Sequence, residues 1–436
     1  MGPRPAATLL ADLERLGVRL GLEPFRSLLA ALGRPERNLV AALVAGTNGK
    51  GSTAAMLDAI VRAGGRATGL YTSPHLERVE ERIRLGGAAI GSAPLGAALE
   101  RVLAAARSAG LEPPTYFEAT TAAAFALFAD ARLDLAVLEV GLGGRLDATN
   151  ACEPRLSVVT PIALDHTELL GSTLAAIARE KAGVFRRDRP VVLAAQEPAA
   201  ARALAEAAVA AGARALAADD LVRIEETEER GLAGSRFTAR LAGELVELEL
   251  PLAGPHQVAN AVTAIAAARV LAEEGLAEAG ARALGAGLLA TRWPGRLESV
   301  EPPPGEATVL LDAAHNPHGT AALARFLDRL ARPFVLLFGA LADKDSAAML
   351  RSLAPRAAAL VLARPASPRA LAPELLLAQP GTAGARVEPE PAAALGAALD
   401  AARATGVDLV VVAGSIYLVG AARVELRRRW GRPAAL

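Results

Sequence analysis

Ala45-Gly46-Thr47-Asn48-Gly49-Lys50-Gly51-Ser52-Thr53 decides the fold. The run ahead of it, NLVAALVA at 38–45, reads as a buried strand, and residues 52–64 behind it carry apolar residues at helical spacing. A glycine-rich turn between strand and helix lets the backbone aim its N–H groups at a phosphate, with the positive end of the helix behind them. Lys50 stands where a cation reaches the outer phosphates of a nucleotide, and Ser52 or Thr53 supplies a hydroxyl near them. The common phosphate-loop spacing is broken twice. Val44 occupies the place of its first glycine, and Gly51 is inserted between Lys50 and Ser52. A plain helix-capping turn is the competing reading, and the strand–loop–helix context argues against it.

Outward from this loop the alternation continues. Strands are expected at 67–72, 134–140, 156–161 and 190–195, and helices at 94–109, 118–131 and 173–184. That βαβα order implies an α/β fold with a mostly parallel sheet covered on both faces. Residues 221–251 alternate short runs with turn residues and read as a small antiparallel patch; a helix at 257–274 follows. TRWPGRLESVEPPPGEA, 291–307, is dense in Pro and Gly and reads as a linker. Strands near 307–312, 333–338, 358–363 and 408–413, with helices at 318–331, 345–353 and 391–404, then make a smaller second α/β domain. The expected division is 1–293 and 294–436. The Ala-rich runs 198–218 and 391–403 read as helices.

Composition excludes whole classes of function. The 436 residues are 52% apolar, ample for sizeable cores, and 47 basic residues balance 47 acidic ones. A neutral chain argues against a broad basic surface for nucleic acid, and 3% aromatics argues against stacking on single strands. Cys152, alone, excludes an intramolecular disulfide framework and a Cys-rich zinc module. No uncharged apolar stretch is long enough for a membrane span, and the first residues lack the features of a leader. The expectation is a cytoplasmic protein with no membrane or nucleic-acid partner.

Only three of the 47 basic residues are lysine: Lys50, Lys181 and Lys344. Arginine fills nearly every place where a positive charge suffices, so the lysines mark positions that need a compact amine able to lose its proton. Lys181 in Arg179-Glu180-Lys181-Ala182-Gly183 is open to two readings: a cation favoured by a helix C-terminus, or a lysine kept for its chemistry. Glu139 ends an apolar strand and begins the turn through Gly144, a position that faces the ligand crevice of open α/β sheets and can hold Mg²⁺. His166 follows another strand in Asp165-His166-Thr167-Glu168. Asn260 lies in a His/Gln/Asn helix start after Gly254, Arg296 lies in the linker, and Asp312 to His318 closes the first strand of the second domain. Ordinary capping competes with ligand contact at Asn260 and at Asp312 to His318.

With GTNGKGST these segments resemble the folylpolyglutamate synthases of the ATP-dependent Mur ligase superfamily, many of which double as dihydrofolate synthases. YTSPHL (71–76), TYFEATT (115–121), GLGGRLDATN (141–150), LDHTELLG (164–171), EKAGV (180–184), DAAHNPHG (312–319), GALADKD (339–345) and GSIYLVG (414–420) carry the likeness in family order. The resemblance implies a P-loop NTPase-like N-terminal domain and a smaller Rossmann-like C-terminal one. It assigns Thr47, Asn48, Gly49, Lys50, Gly51 and Ser52 to the phosphate loop, and Asn260, Arg296 and Asp312 to other ATP contacts. Ser73, Glu139 and His166 match Mg²⁺ ligands at two expected sites, and Lys181 matches a lysine carried as a carbamate. The pterin pocket falls on Arg19, Leu20, Gly21, Leu22, Thr115, Tyr116, Phe117, Glu118, Leu146, Asp147 and Ala148. His315 and Ser415 fall in segments associated with the amino-acid substrate or the domain interface.

Arg19 replaces the Asp that usually opens the Arg19–Leu22 segment, and Leu43 stands where a His often precedes the loop. The implied activity joins L-glutamate to a folate or dihydropteroate carboxylate at the expense of ATP, by a monomer. A cell-wall Mur ligase, a kinase and a non-catalytic ATP-binding regulator are the alternatives. The first is disfavoured by the 45 residues ahead of Gly46, too few for a UDP-binding domain.

Overall fold

A computed structural model describes residues 5–17, 19 and 21–431. They divide into two compact units: one comprising residues up to 227 with 237–249 and 257–291, the other comprising 228–236, 250–256 and 292 onward.

The first unit is built on eight strands: β1 Ala41–Ala45, β2 Thr68–Tyr71, β3 Ile83–Leu85, β4 Ala88–Ala89, β5 Leu135–Glu139, β6 Pro154–Val159, β7 Pro190–Leu193 and β8 Arg214–Ala217. Their order is β4-β3-β2-β5-β1-β6-β7-β8. β2, β5, β1, β6, β7 and β8 run parallel, and β3 and β4 add an antiparallel edge. Every residue of β1, β2 and β5 is buried, as expected for central parallel strands covered on both faces. The helix Lys50–Ala63 returns from β1, and the helix Ala281–Ala290 packs on it so closely that a Cβ on Gly287 would lie 2.4 Å from the Ile60 Cα.

Residues 223–250 form β9 Arg223–Glu229, β10 Ser235–Leu241 and β11 Glu244–Leu250, a three-stranded sheet in the order β11-β10-β9. The second unit carries β12 Glu298–Val300, β13 Thr308–Leu311, β14 Val335–Phe338, β15 Ala359–Leu362, β16 Arg386–Val387 and β17 Leu409–Ala413. Their order is β12-β13-β17-β14-β15-β16, parallel except for β12. Leu310, Leu336, Phe338, Leu362 and Val411 centre its core.

Two expectations are corrected. The run 198–218 is not one helix: it stops at Ala211, Gly212 takes a left-handed conformation (φ 67°), and 214–217 becomes β8. The segment 291–307 is not a bare linker, because β12 inside it pairs antiparallel with β13. Glu298 anchors that strand: it accepts the Gly295 N–H at 2.8 Å and both of its oxygens meet the buried Arg423 guanidinium, at 3.0 and 3.1 Å. Among the described residues no helix is long and apolar enough to cross a membrane.

Candidate active site

The phosphate loop is braced from behind. Thr47 and Asn48 N–H groups donate to Pro161 O at 3.0 and 3.3 Å, and Thr47 Oγ1 exchanges bonds of 3.1 Å with both the N–H and the carbonyl of Ala163. Gly46 (φ 137°) leaves no room for a side chain, since a Cβ would sit 1.9 Å from Thr160 Oγ1. Gly49 (φ 85°) begins the helix Lys50–Ala63, and Ser52 and Thr53 are buried in its first turn. Lys50, half-buried, donates from Nζ to Thr47 O at 3.0 Å. Asn260 stands against Gly49, held by a bond of 3.0 Å from its Nδ2 to Gln257 Oε1.

Glu139 is the last residue of β5 and lies in register with Val44, immediately before the loop. It is 6% exposed, and its Oε2 accepts the Ser73 N–H at 3.0 Å. The sheet thus brings Ser73, Glu139 and the phosphate loop to the same ends of three adjacent strands, the crevice where open α/β sheets bind ligands. His166 is exposed, with φ 50°, at the start of the short helix Thr167–Leu170; its Nε2 lies 3.9 Å from Asp165 Oδ1.

Lys181 ends the helix Leu174–Lys181, yet its side chain is buried, with 5% of the residue exposed. A cation placed only to complement a helix end would face water. Two glycines set it there. A Cβ on Gly144 would lie 2.7 Å from Lys181 O, and one on Gly183 would lie 2.4 Å from the Arg145 Cα, so the two backbones touch. Asn150 spans the contact, donating to Arg145 O at 3.2 Å and Gly183 O at 3.0 Å, and Arg145 N–H donates to Glu180 O at 3.0 Å.

Burial first, then the charge of Lys50, lowers the Lys181 amine from its ordinary 10.5 to about 7, against the opposing pull of Asp165 and Asp147. Between those two values the unfolded chain holds a proton that the fold has released, so stability rises with pH from about 7 to about 10. Urea midpoints in CO₂-free buffer are expected to climb over that window. Lys181→Met is expected to flatten the climb.

The residues expected to form a pterin pocket gather around the helix Tyr116–Ala131. Thr115 caps it, accepting the Glu118 N–H at 3.2 Å, while Glu118 Oε2 accepts the Thr115 N–H at 2.7 Å. The Phe117 ring lies against Gly141 and 6.1 Å from the Tyr71 ring. Asp147 is buried, accepts from Leu142 N and Thr149 N and Oγ1, and burial raises its pKa against those bonds. Leu146 is half-buried and Ala148 opens a short turn. Arg19 and Glu118 sit 3.8 Å apart on a cavity of about 460 Å³ that Phe25, Leu28 and Leu111 also line. Gly21 has φ 128°, Leu22 is buried, and Leu20 lies outside the described residues.

The remaining candidates belong to the second unit. Asp312, at the end of β13, accepts the N–H groups of Leu297 and Ala314; burial raises its pKa and Arg296 opposes the rise. The Leu297 bond and the Glu298–Gly295 bond fix the turn that carries Arg296. His315 Nδ1 lies 2.9 Å from Ala313 O, and Ser415 caps the helix Ile416–Trp430.

Sequence reasoning did not single out Asp165 or Arg82. Asp165 carries charge toward Lys181, and the only signal for it was its place beside His166. Arg82 donates from Nε to His75 Nδ1 at 3.0 Å and lies over the Tyr116 ring.

The chain matches the Mur ligase middle domain over residues 44–268 and the Mur ligase glutamate ligase domain over 295–416. It is 39% identical over 431 residues to the probable bifunctional folylpolyglutamate synthase/dihydropteroate synthase of Haloferax volcanii, which covers 97% of this chain and 50% of that one. It therefore spans about half the length of that relative and of its Halobacterium salinarum counterpart. It is 37% identical over 440 residues to the dihydrofolate synthase/folylpolyglutamate synthase of Mycobacterium tuberculosis, covering 92% and 89% of the two chains.

The fold is similar to crystal structures of Mycobacterium tuberculosis folylpolyglutamate synthase complexed with ADP and AMPPCP, with TM-score 0.88, 36% identity, and 99% and 100% coverage. It is also similar to a bifunctional folylpolyglutamate synthase/dihydrofolate synthase with Mn, AMPPNP and L-glutamate bound, with TM-score 0.83, 32% identity, and 97% and 98% coverage. Likeness of this extent, in sequence and in fold, places the chain in the folylpolyglutamate synthase/dihydrofolate synthase family of the Mur ligases.

Proposed function

We propose that the chain is an ATP-dependent ligase that joins L-glutamate to the carboxylate of dihydropteroate, a reduced folate, or both. The observation that carries the reading is the buried Lys181, close enough to Lys50 at the phosphate loop for the two charges to act on each other, while Glu139 ends the strand beside the loop. A family relative binds Mn, AMPPNP and L-glutamate together, which supports the same substrates here.

The donor set fits magnesium. Among the described residues no three His, Cys, Asp or Glu side chains cluster as a metal cage. Mg²⁺ is ordinarily held by one or two carboxylates with substrate phosphates and water, so a single buried carboxylate beside a phosphate loop suits it. Glu139, Ser73 and His166, with Lys181 as its carbamate, would hold it at two sites. When bound, magnesium neutralises charge on the phosphates during transfer.

An amine near 7 is half deprotonated at neutral pH and can attack CO₂, forming an N–C bond and losing a proton to give the carbamate anion. Lys50 and the loop N–H groups would orient the γ-phosphate for attack by the acceptor carboxylate, giving an acyl phosphate and ADP. The glutamate amine then attacks the acyl carbon and expels phosphate. Asn260, Arg296 and Asp312 would hold the nucleotide. Thr115, Phe117, Asp147 and Ala148, with the cavity beside Arg19 and Glu118, would hold the pterin end. His315 and Ser415 would serve the amino acid. The proposed division of labour puts ATP and the pterin on about 1–293 and glutamate ligation on about 294–436, and the matches to the Mur ligase middle domain over 44–268 and the glutamate ligase domain over 295–416 support it.

The test offers ATP, Mg²⁺ and L-glutamate with dihydropteroate or tetrahydrofolate in parallel and reads product mass. One glutamyl unit added to an acceptor, with one ADP released per product, is expected. ATP bound or hydrolysed without that product overturns the reading and favours a regulator.

A further inference from the structure

Arg82 is a buried cation with no ion-pair partner among the described residues. It is 8% exposed, its Nε donates to His75 Nδ1 at 3.0 Å, and its Cζ lies 4.9 Å from the centre of the Tyr116 ring. Among the described residues those are its side-chain partners, and neither carries negative charge: the nitrogen that accepts the Arg82 bond bears no proton, and an aromatic face offers only its quadrupole.

The acids near it in sequence are engaged elsewhere. Glu80 pairs with Arg78 at 3.3 Å, and the Glu81 carboxylate accepts the N–H groups of Leu76, Glu77 and Arg78. A guanidinium withdrawn from water is costly unless an anion meets it, and its two-nitrogen edge matches a carboxylate in a planar, two-bond geometry.

Its position says which anion. The Arg82 carbonyl accepts the Thr72 N–H at 2.9 Å, and the next residue, Ser73, donates to Glu139, which binds Arg82 to the phosphate end of the crevice. On its other side the Tyr116 ring begins the helix whose Phe117 and Thr115 belong to the candidate pterin pocket. An acceptor that reached from that pocket to a γ-phosphate would carry its carboxylate past the guanidinium.

We propose that Arg82 is the binding residue for the acceptor's carboxylate, taking it in a two-bond grip, orienting it for phosphorylation and rejecting pterins that lack it. The inference rests on the ligase reading above, and its measurement needs no turnover.

Equilibrium binding is measured for wild type, Arg82→Gln and Arg82→Lys, each first shown to unfold cooperatively on heating. The probes are dihydropteroate, the same molecule without its carboxyl group, and a non-hydrolysable ATP analogue. Wild type is expected to prefer the carboxylate-bearing probe by about 10- to 100-fold, the range for a hydrogen bond between charged partners. In Arg82→Gln that preference is expected to collapse to about twofold, with the carboxyl-free probe and the ATP analogue binding as before.

Equal weakening of both pterin probes would make Arg82 a wall of the pocket and overturn the proposal. So would loss of the ATP analogue with the preference intact, which would mark a nucleotide contact. Should Arg82→Gln not fold, Arg82→Lys decides: a point charge without the fork is expected to give an intermediate preference, and an undiminished one overturns the grip. Absence of a glutamylated product from wild type would refute the ligase reading and leave the preference measurement standing.

Discussion

Lys181→Arg is expected to lower the rate of glutamate ligation by about 10³-fold or more, a loss of about 4 kcal/mol of transition-state stabilisation, while nucleotide-analogue affinity changes by less than about tenfold. The substitution keeps the charge, and charge is what a helix C-terminus asks for, so that reading of Lys181 expects no loss. Burial says otherwise. The residue is 5% exposed, with Gly144 packed on its backbone and the charge of Lys50 felt at its amine.

Arginine cannot release its proton, cannot attack CO₂ and cannot become an anion beside Glu139. It also fixes a second permanent cation near Lys50, where the native amine is half neutral at pH 7. Lys181→Met separates these effects: it is expected to be equally slow, yet more stable than the arginine variant because no charge is buried. A carbamate carbon signal from ¹³C-bicarbonate is expected in wild type and in neither variant. Lys181→Arg retaining more than a tenth of wild-type activity would remove the carbamate from the mechanism.

What could be read beforehand depended on how a residue's role writes itself into sequence. Central parallel strands such as β1 and β5 are buried throughout, so they appear as unbroken apolar runs bounded by turns. Edge strands leave no such trace. β4 is Ala88–Ala89, both exposed, β16 is two residues long, and the half-buried β12 is embedded among prolines. The helix Ala281–Ala290 carries Gly285 and Gly287, which argue against a helix until Ile60 is seen occupying the space of a Cβ.

The same asymmetry governs the site. Scarcity made Lys50 and Lys181 conspicuous among 47 basic residues, but it hides Arg82, one guanidinium among dozens. That it pairs with no carboxylate among the described residues is a fact about space, since Glu80 and Glu81, close by in sequence, are turned to other partners. The lock between Gly144 and Gly183 is invisible for a like reason. A chain with 40 glycines does not say which two let backbones touch.

Gly49→Ala is expected to raise the Kd for nucleotide by about 100-fold while lowering Tm by only a few degrees. Two penalties act, and they can be separated. The first is conformational: φ is 85° at Gly49, a region that costs an L-residue about 1–2 kcal/mol. The second is a collision, because the new Cβ would lie 2.3 Å from Asn260 Oδ1 and 3.1 Å from its Cγ. What it meets is the end of a side chain, so Asn260 swings away and the fold survives. The amide's bond to Gln257 is then lost, and with it the proposed contact to ATP.

Gly65 supplies the control, with φ 88° and nothing within 4 Å of a Cβ: Gly65→Ala is expected to cost the strain alone, about 1–2 kcal/mol of stability, and to leave nucleotide affinity untouched. Gly46→Ala is the opposite case. Its Cβ would meet the Thr160 carbonyl at 2.9 Å as well as the side chain, so the loop itself must move and the protein is expected to lose stability as well as binding. If the Gly49 effect runs through Asn260, it vanishes once that amide is gone. Gly49→Ala combined with Asn260→Ala is therefore expected to bind nucleotide about as well as Asn260→Ala alone, within about threefold, and an additive double variant would show that strain at the loop, not displacement of Asn260, weakens binding.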